Sequence, residues 1–278
     1  MAHQLLQGKK GIIFGALDER SIAWKTAQKV VAEGAQVVLT NAPIALRMGK
    51  INELAKECNN APVIGADATN ITDLENLFNQ SMEALGGKID FVLHSIGMSP
   101  NVRKGIEYTN TNYDNFLKTL DISALSLHKV LQTAMKLDAM NEWSSVVALS
   151  YIAAQRTFPG YNDMAEAKAL MESIARSFGY HYGFAKKVRV NTVSQSPTVT
   201  TAGSGVSGFD AFFHYAEKMS PLGNASAEDC ANFCAMLFSD YTRMVTMQNL
   251  FHDGGFSFTG VSQVLIEDLQ KVFSEAAS

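Results

Sequence analysis

The chain has 278 residues, of which 47% are hydrophobic and 18% charged, and its formal net charge is −4. These proportions are typical of a globular protein and exclude collagen-like, coiled-coil and disordered classes. Because Lys and Arg form no basic block, we expect no nucleic-acid partner.

Short apolar runs alternate with longer amphipathic segments along the chain. The predicted strands are Gly11–Gly15, Gln36–Thr40, Val63–Ala66, Ile89–His94, Ser145–Ser150 and Val188–Val193. The predicted helices are Ser21–Glu33, Pro43–Cys58, Thr72–Leu85, Tyr113–Leu137 and Tyr161–Phe184. This alternation indicates βαβ units in a parallel sheet buried on both faces. We therefore expect one α/β domain over residues 1–278, a Rossmann-type doubly wound parallel sheet with helices on both faces.

One polar, glycine-rich stretch, Pro197–Gly208, follows the last predicted strand, and we expect a substrate-binding loop and helix insertion near residues 197–219. No secretory leader or membrane-spanning segment is visible, so we expect a soluble, cytoplasmic protein without a membrane partner. The cysteines Cys58, Cys230 and Cys234 are too sparse for a disulfide framework. The six histidines lack ligand spacing, so we expect no metal.

The end of the first strand has features of a dinucleotide site. Gly15 ends the strand, and Ser21 stands where the first helix opens. Glycine lets the backbone approach a phosphate, and a serine can cap the helix whose N-terminus receives the pyrophosphate. A strict G-x-G-x-x-G motif is absent, so an ordinary strand–turn–helix with a serine cap is an equal alternative.

Two further strand ends carry residues suited to a cofactor. Asp67 follows the third predicted strand, where it could accept a hydrogen bond from an adenine amino group or serve only as a turn residue. Gly97 follows the fourth, where it would let a ribose and a diphosphate lie against the backbone. Ligands of open α/β sheets bind at such carboxyl ends.

Tyr161 and Lys168 are spaced to share one helix face, since seven residues make nearly two turns. The ammonium could hold a ribose and lower the pKa of a nearby phenol. The alternative is a surface lysine beside a tyrosine at the edge of the core.

Several motifs together resemble the bacterial enoyl-(acyl-carrier-protein) reductases of the short-chain dehydrogenase/reductase superfamily. The superfamily pattern Tyr-x3-Lys would put its tyrosine at Met164 and its serine at Tyr151. The enoyl reductases instead have two tyrosines, as in SYIAAQRTFPGYNDMAEAK here. The other matching motifs, which extend over nearly the whole chain, are GALDERSIA, ADAT, LHSIG, VRVNTVS and HDGGFS.

This resemblance implies a reaction, a set of site residues and partners. It implies reduction of trans-2-enoyl thioesters on acyl carrier protein by hydride transfer from NADH to C3, in type II fatty acid biosynthesis, by a homotetramer. Tyr161, Lys168 and Tyr151 would be catalytic, with Tyr161 donating to the enolate oxygen. The cofactor would contact Gly15, Ser21, Ile22, Asp67, Ala68, Ile96, Gly97, Lys168, Thr198 and Thr200.

The chain departs from the family pattern in two places. Gln195-Ser196 replaces the usual Ala-Gly before Pro197, beside the expected nicotinamide. After the second strand, Asn41-Ala42-Pro43 offers neither an acid for a ribose diol nor an adjacent arginine for a 2′-phosphate, so we expect NADH over NADPH. Two alternatives remain: a 3-oxoacyl or other carbonyl reductase of the superfamily, and a non-catalytic dinucleotide sensor.

Overall fold

A six-stranded parallel sheet forms the centre of the molecule. The computed structural model describes residues 3–200 and 208–276. Along the sheet the strands follow the order β2-β1-β3-β4-β5-β6, and all neighbouring pairs are parallel. The strands are β1 (Lys10–Phe14), β2 (Gln36–Thr40), β3 (Ile89–His94), β4 (Met140–Ser150), β5 (Arg189–Gln195) and β6 (Asn249–His252). The predicted Rossmann-type sheet is confirmed.

Helices cover both faces of this sheet, as predicted. Side chains of successive strand residues point to opposite faces, so Ile12 and Phe14 belong to the core cluster on one face, whereas Ile13 belongs to the cluster on the other. The helices are α1 (Ile22–Ala32), α2 (Pro43–Met48), α3 (Ile51–Glu57), α4 (Ile71–Ala84), α5 (Pro100–Arg103), α6 (Tyr113–Leu120), α7 (Ser126–Lys136), α8 (Met164–Lys186), α9 (Phe209–Met219), α10 (Ala227–Phe238) and α11 (Gln263–Ala276). No helix in the described ranges is both long and apolar enough to cross a membrane.

The predicted strand Val63–Ala66 is wrong as a strand. Only one bridge pairs Val63 with Leu39 of β2, although the backbone runs beside β2 through hydrogen bonds from Ile64 N to Leu39 O and from Leu39 N to Pro62 O. The segment thus adds an edge to the sheet without a regular ladder.

One predicted helix is divided, and another contains a π-helical turn. The segment Pro43–Cys58 divides into α2 and α3 at Gly49, whose backbone is extended with a ψ of −179°. Glycine fits there because a Cβ would lie 2.7 Å from Leu17 O, the carbonyl to which Lys50 N donates. In the segment Tyr113–Leu137, a π-helical turn at Asp121–Leu125 joins α6 to α7. Such turns insert a residue into a helix without ending it.

The helix that carries Lys168 begins later than predicted. It begins at Met164, so Tyr161 precedes it, and the prediction that both residues share one helix face is wrong. Asn162 has a left-handed φ of 42°, which an α-helix does not accommodate and which Asn tolerates better than most residues. Asp163 is the N-cap. The chain therefore turns sharply between Tyr161 and the helix.

Candidate active site

A cavity of about 570 Å³ opens at the carboxyl ends of β3, β4 and β5. Since β1 and β3 are neighbours with β2 on the far side of β1, this edge contains the topological switch point at which open α/β sheets bind ligands. The predicted site residues that line the cavity are Ile22, Ile96, Gly97, Tyr151, Tyr161, Lys168, Thr198 and Thr200. Thus one cavity brings together eight residues from positions 22 to 200 of the chain.

Lys168 is buried at the base of this cavity. Its ammonium donates a 2.7 Å hydrogen bond to Leu149 O in β4, and a Cβ at Gly97 would lie 3.8 Å from its Nζ. Burial lowers the pKa of Lys168 to about 8, although the nearby Glu172 carboxylate opposes that change. The group is therefore cationic at neutral pH and loses its charge only slightly above it.

Glu172 lies one helical turn beyond Lys168 and is itself buried. It accepts hydrogen bonds from Ser150 Oγ at 2.6 Å and from Gln155 Nε2 at 3.2 Å. These bonds attach the end of β4 and the segment after it to α8. Glu172 thereby fixes the backbone on which Tyr151 stands.

The two tyrosines pack against each other with ring centroids 5.1 Å apart. Burial raises the pKa of both phenols well above its ordinary value, and for Tyr151 the neighbouring Tyr161 and Asp253 add to the increase. Both phenols therefore remain protonated near neutral pH and can donate hydrogen bonds. The Tyr151 hydroxyl is buried and has no hydrogen-bond partner among the described residues.

A cluster of aromatic side chains from later parts of the chain packs beside Tyr151. Phe158 stands 5.4 Å from Tyr151 and 5.1 Å from Phe212, and Phe212 meets Tyr215 and Phe256 at 6.2 and 6.4 Å between ring centroids. Phe158 and Phe212 also line the cavity. This side of the site is suited to an apolar chain.

Gln195 and Ser196, at the end of β5, bind the segments that surround them. The side-chain Nε2 of Gln195 donates to Thr198 Oγ1 and to Ala225 O, and its Oε1 lies 2.7 Å from His252 Nδ1. Ser196 Oγ accepts from Ala225 N at 3.0 Å. Both side chains line the cavity, yet the sequence offered no signal of these contacts beyond the departure itself.

Four predicted cofactor residues do not line this cavity, and their cofactor contacts stay predictions. A Cβ at Gly15 would lie 2.0 Å from Ser95 O, so glycine allows the loops after β1 and β3 to meet there. Ser21 caps α1 by accepting from Trp24 N. Asp67 accepts two hydrogen bonds from Thr69, as a turn residue does, and Ala68 belongs to the core.

Comparisons with known proteins show the family to which the chain belongs. The sequence profile of the family named enoyl-(acyl carrier protein) reductase matches residues 15–257. The chain is 34% identical to enoyl-(acyl-carrier-protein) reductase (NADH) 2 of Rhizobium meliloti, over 92% of this chain and 94% of that protein. It is 32% identical to the enoyl-(acyl-carrier-protein) reductase (NADH) FabI of Bacillus subtilis, over 91% and 98% of the two chains.

Solved structures are similar over the same extent. The FabI–NADH complex of Alistipes finegoldii superposes with a TM-score of 0.93 at 64% identity, covering 94% of this chain and 92% of that one. The enoyl-(acyl-carrier-protein) reductase (NADH) of Aquifex aeolicus gives 0.85 at 32% identity, covering 92% and 99%. In the described ranges, no group of three or more His, Cys, Asp or Glu side chains could hold a metal ion. The chain belongs to the enoyl-(acyl-carrier-protein) reductase family.

Proposed function

We propose that this chain reduces trans-2-enoyl thioesters carried on acyl carrier protein to saturated acyl thioesters, with NADH as the hydride donor, in fatty acid biosynthesis. The observation that carries the proposal is the meeting of Tyr161, Lys168 and Gly97 in one cavity at the switch point of the sheet. The names of the relatives, which are NADH-dependent enoyl reductases, support the same reaction.

The residues present fit a dinucleotide. The Gly97 backbone leaves room that a side chain would occupy between it and Lys168, and Lys168 offers a buried ammonium to ribose hydroxyls. The buried Tyr151 hydroxyl still needs a hydrogen-bond partner. In this proposal Ile22, Ile96, Gly97, Thr198 and Thr200 hold the cofactor together with Lys168.

When bound, NADH supplies the hydride that is added to C3 of the enoyl group. Negative charge then develops on the thioester oxygen, and Tyr161 donates a hydrogen bond to it, because the raised pKa of this phenol keeps it protonated. Lys168 holds the ribose and places a positive charge nearby. The enolate is finally protonated at C2, which gives the saturated acyl chain.

The acyl chain lies, in this proposal, along the aromatic side of the cavity. Phe158 and Phe212 supply apolar surface there, and Tyr151 borders the reacting end. We assign residues 197–219 to substrate binding, of which residues 201–207 lie outside the described part of the chain. Support comes from Thr198, Thr200, Phe209 and Phe212, which line the cavity on either side of that gap.

We extend the proposal to partners and location. The names of the relatives support acyl carrier protein as the substrate's carrier. We infer a homotetramer from the family resemblance, and we propose a cytoplasmic location because no targeting signal is visible in the sequence. Light scattering after size-exclusion chromatography tests the tetramer.

The reaction is tested by following NADH oxidation with an enoyl thioester and, in parallel, with a 3-oxoacyl thioester of equal length. We expect rapid turnover of the enoyl substrate alone. Turnover of the 3-oxoacyl thioester instead would identify a carbonyl reductase, and NADH binding without either turnover would identify a dinucleotide sensor.

A further inference from the structure

Asp163 is a completely buried acidic residue two positions after Tyr161. A carboxylate withdrawn from water needs several polar partners. Three neutral side chains surround it: Ser99 Oγ bonds to Oδ1, while Asn101 Nδ2 and Thr119 Oγ1 lie 2.7 and 2.9 Å from Oδ2. The carboxylate thus joins the segment after β3 and helix α6 to the start of α8.

At its position in the chain, the Asp163 side chain would be expected to cap helix α8. It is the N-cap of α8, where an Asp side chain ordinarily accepts from the first backbone N–H groups of its own helix. Here no such side-chain cap forms. The carboxylate is directed instead at Ser99 and Asn101, which lie on either side of the first residue of α5.

Asn162 acts in parallel with it. Its side-chain Oδ1 accepts from Thr111 Oγ1 at 2.8 Å, and its Nδ2 donates to Ile106 O at 2.7 Å. Its left-handed backbone places this side chain and that of Asp163 so that both contact residues 99–111. Two consecutive residues therefore attach one loop to the turn that follows Tyr161.

The attached segment is part of the cavity wall. Ser99, Val102 and Arg103 line the same cavity as Tyr161, whereas Asp163, Asn101 and Thr119 are buried behind it. Movement of this segment would change the width of the cavity beside Tyr161. Lys168, in contrast, is bonded separately to β4 and would stay in place.

We propose that Asp163 is a positioning residue, whose carboxylate holds the wall formed by residues 99–103 at a fixed distance from Tyr161 and thereby sets the fit of the enoyl chain. This inference rests on the proposed function. It separates substrate fit from cofactor binding, because the bonds made by Asp163 reach the wall and none of its described contacts reaches Lys168.

The test is Asp163→Leu, which removes both acceptor oxygens and leaves three buried donors facing an apolar group. With saturating NADH, we expect the KM for an enoyl thioester to rise about ten- to one-hundred-fold, the range for misplacement of about an ångström in a site. The NADH Kd, measured by fluorescence, should stay within about twofold of wild type, because the substitution leaves Lys168 and the ribose site untouched. NADH-binding stoichiometry gives the active fraction, so loss of folded protein is not counted as loss of fit.

Two variants are matched to it. Asp163→Asn keeps an acceptor oxygen that can face Asn101 and Thr119, so the KM should return to within about threefold of wild type. Thr119→Val removes the bond from α6 to Asp163 and the bond to Asn115 O within α6, but leaves the bonds from Ser99 and Asn101. It should therefore lower stability and leave the KM unchanged. If Asp163→Leu does not fold, Asn101→Ala is measured in its place, because Asn101 bonds to Asp163 without lining the cavity.

A wild-type KM in Asp163→Leu or Asn101→Ala, with enzyme concentration corrected for the fraction that binds NADH, would overturn the proposal. So would a KM and an NADH Kd that rise together, which would indicate general loosening of the site. Failure of the wild-type enzyme to oxidise NADH with any enoyl thioester is a separate result, because it refutes the proposed function before any variant is made.

Discussion

The rings of Tyr151 and Tyr161 lie 5.1 Å apart between centroids and are inclined by 55°, and both residues line the same cavity. Both keep their protons near neutral pH because burial raises the pKa of each. Only one can be the principal donor to a single thioester oxygen. Tyr151 is enclosed by Phe158 and Phe212, whereas Tyr161 stands at the turn before α8 and beside Met164 on the cavity wall.

We therefore expect Tyr161→Phe to lower kcat/KM for an enoyl thioester by roughly one to three powers of ten, the range for loss of one oxyanion donor. Tyr151→Phe should have a smaller effect, since in the proposed function Tyr151 borders the reacting end and Tyr161 donates to the enolate oxygen. Steady-state kinetics of both variants decide the matter, and the reverse ranking would exchange the assignments of the two tyrosines.

Lys168 should make cofactor binding depend on pH. Its pKa of about 8 means that the ammonium is charged below that pH and loses its proton as the pH rises through it. NADH should therefore bind more weakly at pH 9 than at pH 7, as measured by fluorescence titration. Lys168→Arg keeps its charge over this range, so its NADH Kd should be flatter with pH. Lys168→Ala should bind NADH weakly at every pH, and wild-type affinity in that variant would contradict the assignment.

The alternation of strands and helices could be predicted from the sequence because the two kinds of element differ in length and periodicity, and Ile89–His94 was predicted at its observed bounds. It failed at Tyr161 because a left-handed residue such as Asn162 leaves no periodic signal. Likewise, the role of Gly15 depends on its contact with Ser95, eighty residues further along the chain. The partners of Asp163 and Gln195 are also long-range, and spacing within a segment carries no information about them.

The end of β2 should favour NADH over NADPH. Asn41 uses its side chain locally: its amide donates to Ala16 O at 3.0 Å, and its carbonyl oxygen accepts from Ala42 N at 2.9 Å. Lys50 is paired with Glu19 at 2.7 Å. Because Lys50 is held by Glu19, Arg47 is the cation after β2 that we consider as a partner for a 2′-phosphate.

We accordingly expect a higher kcat/KM with NADH than with NADPH in parallel assays. Arg47→Ala should weaken any residual use of NADPH and leave NADH kinetics unchanged. A clear preference of the wild-type enzyme for NADPH, abolished by this substitution, would show that Arg47 turns toward the ribose.

Phe212 offers a test of where the acyl chain lies. Phe212→Ala removes a ring that contacts Phe158 and lines the cavity. Each buried CH₂ contributes about 0.8 kcal/mol, so the KM should rise about tenfold for a twelve-carbon enoyl thioester and little for a four-carbon one. Phe184→Ala, at an exposed position on α8, is the control and should alter neither. Equal effects on the two chain lengths would place the acyl chain elsewhere.

His94, at the end of β3, should make the folded protein sensitive to acid. It is fully buried, and its Nε2 lies 2.8 Å from Ser126 Oγ. Because the Ser126 hydroxyl donates to Ile122 O, we assign the proton of the neutral ring to Nε2, which leaves Nδ1 without a described partner. Burial first, and then the positive charge of Lys168, lower the pKa of His94 to about 3.

The unfolded chain binds a proton at a histidine near pH 6.5, whereas the folded chain resists it down to about pH 3. Between these values the unfolded state binds more protons, so stability falls as the pH is lowered through this window. The slope due to His94 approaches about 1.4 kcal/mol per pH unit.

Urea unfolding of wild type and His94→Gln between pH 6 and pH 4 isolates the contribution of His94, because the carboxyl groups titrate alike in both proteins. The variant should be less stable at pH 7 and lose stability more gradually on acidification. Parallel curves for the two proteins would mean that the His94 ring accepts its second proton in the folded state.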